Sequence, residues 1–240
     1  MADWLTTPIN QWASVSLTEK QRSALASLGC HTVGDLLLHV PRRYEDRVRF
    51  ESFPNQPMDR AVCLCGIITD TQKRFAGRRR FFEIKLESLD PGPFGGALIC
   101  RGFGLPWVQN QRGVGQQMVL YGKPKLSGQR LVIDHPEFEL VDEPPNEASV
   151  HLGRIAPVYA LTSGVNQRTV RELIYQACQE VTAEIVPDIL PRSVTSATRA
   201  EMLQQVHFPE AVEETSPARR YLALEECVQI QLTILARRAD

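Results

Sequence analysis

The 240 residues lack most of what would mark a membrane protein, a metalloprotein or a nucleotide hydrolase. No apolar run reaches the ~20 residues that span a bilayer, and residues 1–11 lack the basic start and apolar core of a secretory signal. A cytoplasmic protein without a membrane partner is expected. The six cysteines, at 30, 63, 65, 100, 178 and 227, are scattered, and no second Cys or His pair completes a zinc site. Cys63 and Cys65 share one face of a strand-like run and cannot readily bridge each other, so reduced, buried thiols are expected. A P-loop is missing too: the one Gly-Lys pair, Gly122-Lys123, runs into Pro124, and no DEAD-type acidic box follows. These residues should neither hydrolyse ATP nor hold a cofactor or metal. The five histidines are dispersed, no Ser/His/Asp or Cys/His set can be assembled, and no catalytic residue is expected. His39 reads as a capping or packing histidine. Binding must carry the function.

Acid is also missing where base is plentiful. The chain as a whole has a net charge of −1. Residues 60–130, however, hold twelve basic residues against four acids, a net of +8, which leaves −9 for the remainder. No Asp or Glu occurs between Asp90 and Asp134. Release of counterions from DNA depends on a local basic surface rather than on global charge, so this segment points to a nucleic-acid partner.

Hydrophobic content of 43% and charged content of 23% are those of a globular chain long enough for one large or two small domains. Leu17 to Leu28, capped by Thr18 with Gln21 three residues on and closed by Gly29, reads as a helix. Thr32 can cap a second, with Asp35 in its first turn and Val33, Leu36, Leu37 and Val40 as its apolar stripe. Pro41 stops that helix, and Arg42, Arg43 and Arg47 then form a basic arm carrying Tyr44. From Ala61 to Val141 the period becomes two. The run 61–68 is apolar on both sides, Phe82, Ile84 and Leu86 alternate with Glu83, Lys85 and Glu87, and further strands are expected at 97–100, 118–121, 131–133 and 138–141. Five or so short strands punctuated by glycines suggest a small closed barrel of the OB-fold kind, a class much used for single-stranded nucleic acid. Residues 142–147 form an acidic, proline-containing linker. Val165 to Ile185, Ala197 to Val206 and Pro217 to Arg238 read as helices, and the last reaches Ala239-Asp240 without a capping glycine or stop proline, the pattern of an artificial boundary. The expected divisions are 1–59, 60–141 and 142–240.

Two segments of the basic region could bind DNA. Lys73, Arg74, Arg78, Arg79 and Arg80 surround Phe75 at a hairpin tip, where arginine forks can grip phosphates. A solvated polar turn is the plainer reading of the same residues. In Arg101-Gly-Phe-Gly-Leu-Pro-Trp107, glycines flank Phe103, and a helical turn would bring Phe103 and Trp107 to one side. Such rings serve either as core or as a stacking platform for unpaired bases.

The order of motifs resembles the N-terminal part of the RecG helicase family. The segments that carry it are 30–47 (Cys-His-Thr-Val-Gly-Asp-Leu-Leu-Leu-His-Val-Pro-Arg-Arg-Tyr-Glu-Asp-Arg), Ile155 to Gly164 with Gln167, Arg171, Leu173 and Ile174, Val206-His-Phe-Pro209, and Ala218 to Glu226. Together they extend over about residues 17–238. Ser16-Leu17-Thr18 stand where the family often has Gly-Val-Gly, and Gly102 stands in place of an aromatic. The resemblance implies an α+β chain: an N-terminal helical hairpin, an OB-fold-like β-barrel acting as a wedge, and a mainly helical region leading to a motor. It further implies that Phe103 and Trp107 stack on bases parted at a fork, and the family's similar Gly-Arg-Arg turn supports DNA contact by Arg78, Arg79 and Arg80; the basic segments themselves add Lys73, Arg74 and Arg101 as expected DNA contacts. The function implied is that of the wedge region of an ATP-dependent DNA helicase remodelling stalled forks and Holliday junctions in repair and recombination. That enzyme would act as a monomer, with ATP and Mg confined to motor domains outside these residues. The alternative is a stand-alone OB-fold adaptor for a protein partner.

Overall fold

In the computed structural model, the residues described are 4–12, 16–76, 79–89, 96–102, 113–141, 150 and 153–239, with the backbone alone at 76, 79, 80, 141 and 239. The chain divides into two compact units, Met1–Asp46 with Ile155–Asp240, and Arg47–Arg154. The second unit is thus inserted into the sequence of the first.

The first unit is built on helices whose starts follow from local chemistry. Thr18 and Thr32 each close a capping box, with Gln21 and Asp35 respectively, and so open α1 (Glu19–Ser27) and α2 (Val33–Leu38). Gly29, at φ 80°, provides the left-handed residue just past α1. Asn166 caps α3 (Gln167–Glu180), and Thr198 with Glu201 boxes the start of α4 (Arg199–His207). The long α5 (Thr215–Ala239) follows. Leu25, Val33, Leu36, Leu37, Val170, Ile174, Leu203, Val206 and Tyr221 belong to one core, so the two ends of the chain bury each other's apolar faces.

The basic arm expected after Pro41 is not an arm. Arg43–Asp46 form strand β1, which pairs antiparallel with Ile155–Val158. Tyr44 donates its hydroxyl to the Val206 carbonyl at 2.5 Å, and Arg219 lies over its ring. Arg47 is fully buried inside the second unit. It makes a two-pronged ion pair with Glu137 at 2.9 and 3.1 Å, and its guanidinium sits 3.9 Å from the centroid of the Tyr121 ring. Pairing across more than a hundred residues, with no local pattern to announce it, made a strand of the expected arm; Arg42 and Arg43 stay exposed and only Arg47 is buried.

The second unit is a seven-stranded sheet of β2 (Val62–Ala76), β3 (Arg79–Ser88), β4 (Ala97–Gly102), β5 (Gln117–Gly122), β6 (Lys125–Ser127), β7 (Arg130–Asp134) and β8 (Glu137–Val141), in the order β6-β7-β4-β3-β2-β5-β8. Strand β9 (Ile155–Val158) belongs to the first unit, as the partner of β1. All pairs are antiparallel except β4 with β7. Val62, Leu64, Ile68, Phe82, Ile84, Leu86, Leu98, Met118 and Leu120 fill the inside. The outer side of β2 is also covered, by a small cluster of Cys63 and Val119 with Cys65 and Tyr121.

The closed barrel expected from the sequence is not found as a hydrogen-bonded ring among the described residues: β6 and β8 are the ends of the ladder. The chain nevertheless runs from β7, near one end, to β8 at the other through His135-Pro136 alone. His135 takes a left-handed φ of 51° and donates its backbone N–H to the Arg101 carbonyl at 2.7 Å. Gly122, at the end of β5, lies so near β7 that a Cβ there would stand 2.4 Å from the Ile133 side chain. The sheet is therefore OB-fold-like, curled on itself by the course of the chain and by packing.

Candidate nucleic-acid interface

The β2–β3 hairpin extends past the apolar inside of the sheet. Up to Thr71 the alternate residues of β2 are buried, and from Gln72 to Phe75 every side chain is exposed. In register, Lys73 faces Phe82, Arg74 faces Phe81, and Phe75 faces Arg80. Phe75 is 67% exposed, and the Lys73 ammonium stands 5.6 Å from its ring centroid. A large exposed aromatic beside cations is a surface ready to lie against a base or sugar.

The outer faces of β2, β3 and β4 carry a second charged arrangement. Glu83 accepts from Arg74 Nε at 3.2 Å and from Arg101 Nε at 2.9 Å, and Arg101 Nη1 donates to Ser127 Oγ at 2.9 Å. Beside this row lies a groove of about 690 Å³, lined among others by Gln72, Arg74, Glu83, Lys85, Gln129 and Arg130. The outer strand face between the two variable loops is where OB folds hold oligonucleotides.

Of the residues expected to contact DNA, Lys73 and Arg74 come together on the hairpin, and Arg101 joins Arg74 through Glu83. Arg79 and Arg80 are placed in β3 by their backbone. Arg78, Phe103 and Trp107 lie outside the described residues. Sequence reasoning passed over Glu83, Gln129 and Arg130. Alternation marked Glu83 as a wet-face residue, but only the cross-strand register brings two arginines to its oxygens.

Among the described residues, no group of three or more His, Cys, Asp or Glu is placed to hold a metal, and no helix is long and apolar enough to cross a membrane. All six cysteines are free thiols, and only Cys227 is exposed. Burial raises the Cys30 thiol to about 11, with Asp35 adding to the effect, so it stays protonated at neutral pH.

Residues 12–181 match the model of the RecG wedge domain family. The chain belongs to that family. Among curated relatives, the ATP-dependent DNA helicase RecG of Escherichia coli K12 is 29% identical over 225 residues, covering 90% of this chain and 31% of the relative. The ATP-dependent DNA helicase RecG of a Synechocystis is 30% identical over 243 residues, covering 94% and 28%. The chain thus spans about a third of the length of these relatives. A solved structure of RecG bound to a three-way DNA junction superposes with a TM-score of 0.72 at 22% identity, over 98% of this chain and 31% of that one. At that identity the likeness is one of fold.

Proposed function

We propose that this chain is the branched-DNA-binding wedge region of a RecG-like ATP-dependent DNA helicase, acting on stalled replication forks and Holliday junctions in recombination and repair. The observation that carries the reading is membership of the wedge family across residues 12–181. The exposed basic hairpin gives it a physical means. The wedge proper is assigned to residues 60–141. Residues 1–59 are assigned to an N-terminal helical segment, and 142–240 to a linker and helical region that leads to a motor. Parting each base-pair step costs about 1–2 kcal/mol. These residues have no P-loop, so ATP and Mg are assigned to motor domains of the kind the relatives' names imply, and the wedge holds the parted strands. The enzyme is proposed to work as a monomer in the cytoplasm. Phe103 and Trp107 are the proposed stacking platform, and Lys73, Arg74, Arg78, Arg79, Arg80 and Arg101 the phosphate contacts.

The test is a gel-shift series with forked and blunt duplex DNA at two salt concentrations. Preference for the fork, with affinity falling steeply as salt rises, supports the reading. Weak, salt-insensitive binding of both DNAs overturns it in favour of a protein-binding adaptor. The same preparation should show no DNA-stimulated ATP hydrolysis.

A further inference from the structure

Glu83 holds two arginines from two neighbouring strands with its two separate oxygens. Its side chain is 13% exposed, against 48% for Arg74 and 27% for Arg101. Arg74 uses Nε for this contact, and among the described residues Glu83 is its only ionic partner. A DNA phosphate presents the same pair of anionic oxygens, so the row is already arranged to take one.

The groove beside it supplies what an unpaired strand needs. Asn55, Gln72 and Gln129 carry amides that can both donate and accept, and the exposed Leu126 offers a flat apolar surface. Arg130 adds positive charge, while Lys85, paired with Glu87 at 2.6 Å, and Asp70 complete the polar lining. A single strand offers such amides the Watson–Crick edges of its bases, which a duplex keeps engaged in base pairs. The arginine side of both pairs is open to solvent, half so for Arg74, and an incoming phosphate can therefore reach the guanidinium groups while Glu83 still holds them.

We propose that the outer groove takes one unpaired strand of DNA, and that a backbone phosphate of that strand displaces Glu83 from Arg74 and Arg101. The proposal rests on the reading of the chain as a fork-binding wedge, and assigns Glu83 and the groove residues a part in it. Glu83 acts as a resident competitor that keeps the strand loosely held. A wedge that must let its strand slide needs such weak, repeatedly exchanged phosphate contacts.

The probe is a labelled oligothymidylate of roughly 12 nucleotides, within the ~4–16 that one OB fold covers. Glu83→Gln keeps the size and the hydrogen-bond acceptor but removes the charge. It should tighten binding roughly threefold to tenfold and steepen the slope of log affinity against log salt by about 0.7, the value of one phosphate contact on a single strand. Arg74→Ala with Arg101→Ala should weaken binding at least tenfold, and in that background Glu83→Gln should no longer tighten it. Gln129→Ala with Arg130→Ala changes exposed rim residues, and should weaken the oligothymidylate while leaving blunt duplex unchanged. Three results overturn the proposal: Glu83→Gln without gain, a gain that survives loss of both arginines, or an equal gain on duplex. If forked DNA binds but the oligothymidylate ignores every one of these changes, the groove assignment falls and the fork reading stands. If neither DNA binds, both fall.

Discussion

The Tyr159 hydroxyl lies 3.0 Å from Nδ1 of His207 in the buried centre of the first unit. Nε2 of the same ring lies 2.7 Å from the Leu37 carbonyl oxygen. A carbonyl can only accept, so Nε2 carries the proton and Nδ1 accepts from the tyrosine. His39 stacks on Tyr159 from 5.8 Å and hydrogen-bonds the Ala160 carbonyl, so α2, α4 and the end of β9 meet at one polar knot. Both nitrogens are satisfied by a neutral imidazole.

That neutrality makes the first unit sensitive to acid. Burial lowers the His207 pKa to about 4; the Leu37 carbonyl opposes the shift and His39 adds to it. Between pH 6.5 and 4 the unfolded chain binds a proton that the folded chain refuses, so stability is complete above pH 6.5 and declines as pH falls towards 4. The decline should amount to about 3 kcal/mol. His207→Gln should lower the melting temperature at pH 7.5 and flatten the acid limb. An equally steep limb in the variant would assign the acid sensitivity to another group.

Arg47 should matter for stability and not for DNA. Its partner Glu137 is 40% exposed, so the carboxylate left behind by Arg47→Met can hydrate, and the expected loss is about 2–3 kcal/mol rather than that of a fully buried pair. Glu137→Gln should cost more, about 3–4 kcal/mol, because it removes this countercharge from a guanidinium that is fully buried and cannot hydrate. Urea denaturation measures both. The salt dependence of DNA binding should be unchanged in Arg47→Met, since a guanidinium buried against Tyr121 reaches no phosphate.

Replacing Arg78, Arg79 and Arg80 together by Ala should weaken binding to forked and blunt DNA alike. The slope of log affinity against log salt should flatten by roughly two to three units, the effect of three duplex phosphate contacts. An unchanged slope places the contacts elsewhere.

Phe103→Ala should cost roughly 1–3 kcal/mol on forked DNA and almost nothing on duplex, because only an unpaired base offers its face to the ring. Its effect on folding should stay well below the roughly 3–5 kcal/mol of deleting a core phenylalanine. A melt that collapses while binding survives would make the ring part of the core.

What the sequence revealed was local. Thr18 with Gln21, Thr32 with Asp35, and the alternation of Phe82, Ile84 and Leu86 with charged neighbours each lie within a few residues, and each appears in the structure as read. What it hid was contact at a distance: the pairing of β1 with β9, the burial of Arg47, the short strand β6, and the two arginines on Glu83. The residues that carried the family resemblance are mostly scaffold. Gln167 exchanges hydrogen bonds with the Tyr159 backbone, the buried Arg171 donates to the Pro157 carbonyl, and His207 ties α4 to α2. Scaffold of that kind identifies a family securely and says little about which surface meets the ligand.

The nesting of one unit within the other sets an order for the birth of the molecule. Residues 47–154 are contiguous, so that unit has all its strands as soon as it leaves the ribosome. The first unit must wait for α3, α4 and α5, whose apolar faces complete its core. At about 5–20 residues per second, the 86 residues from 155 to 240 take roughly 4–17 s to make, during which Leu36 and Leu37 have no lasting cover. The nascent chain is therefore most exposed to chaperones and proteases at α1 and α2, until the helices that cover them are made.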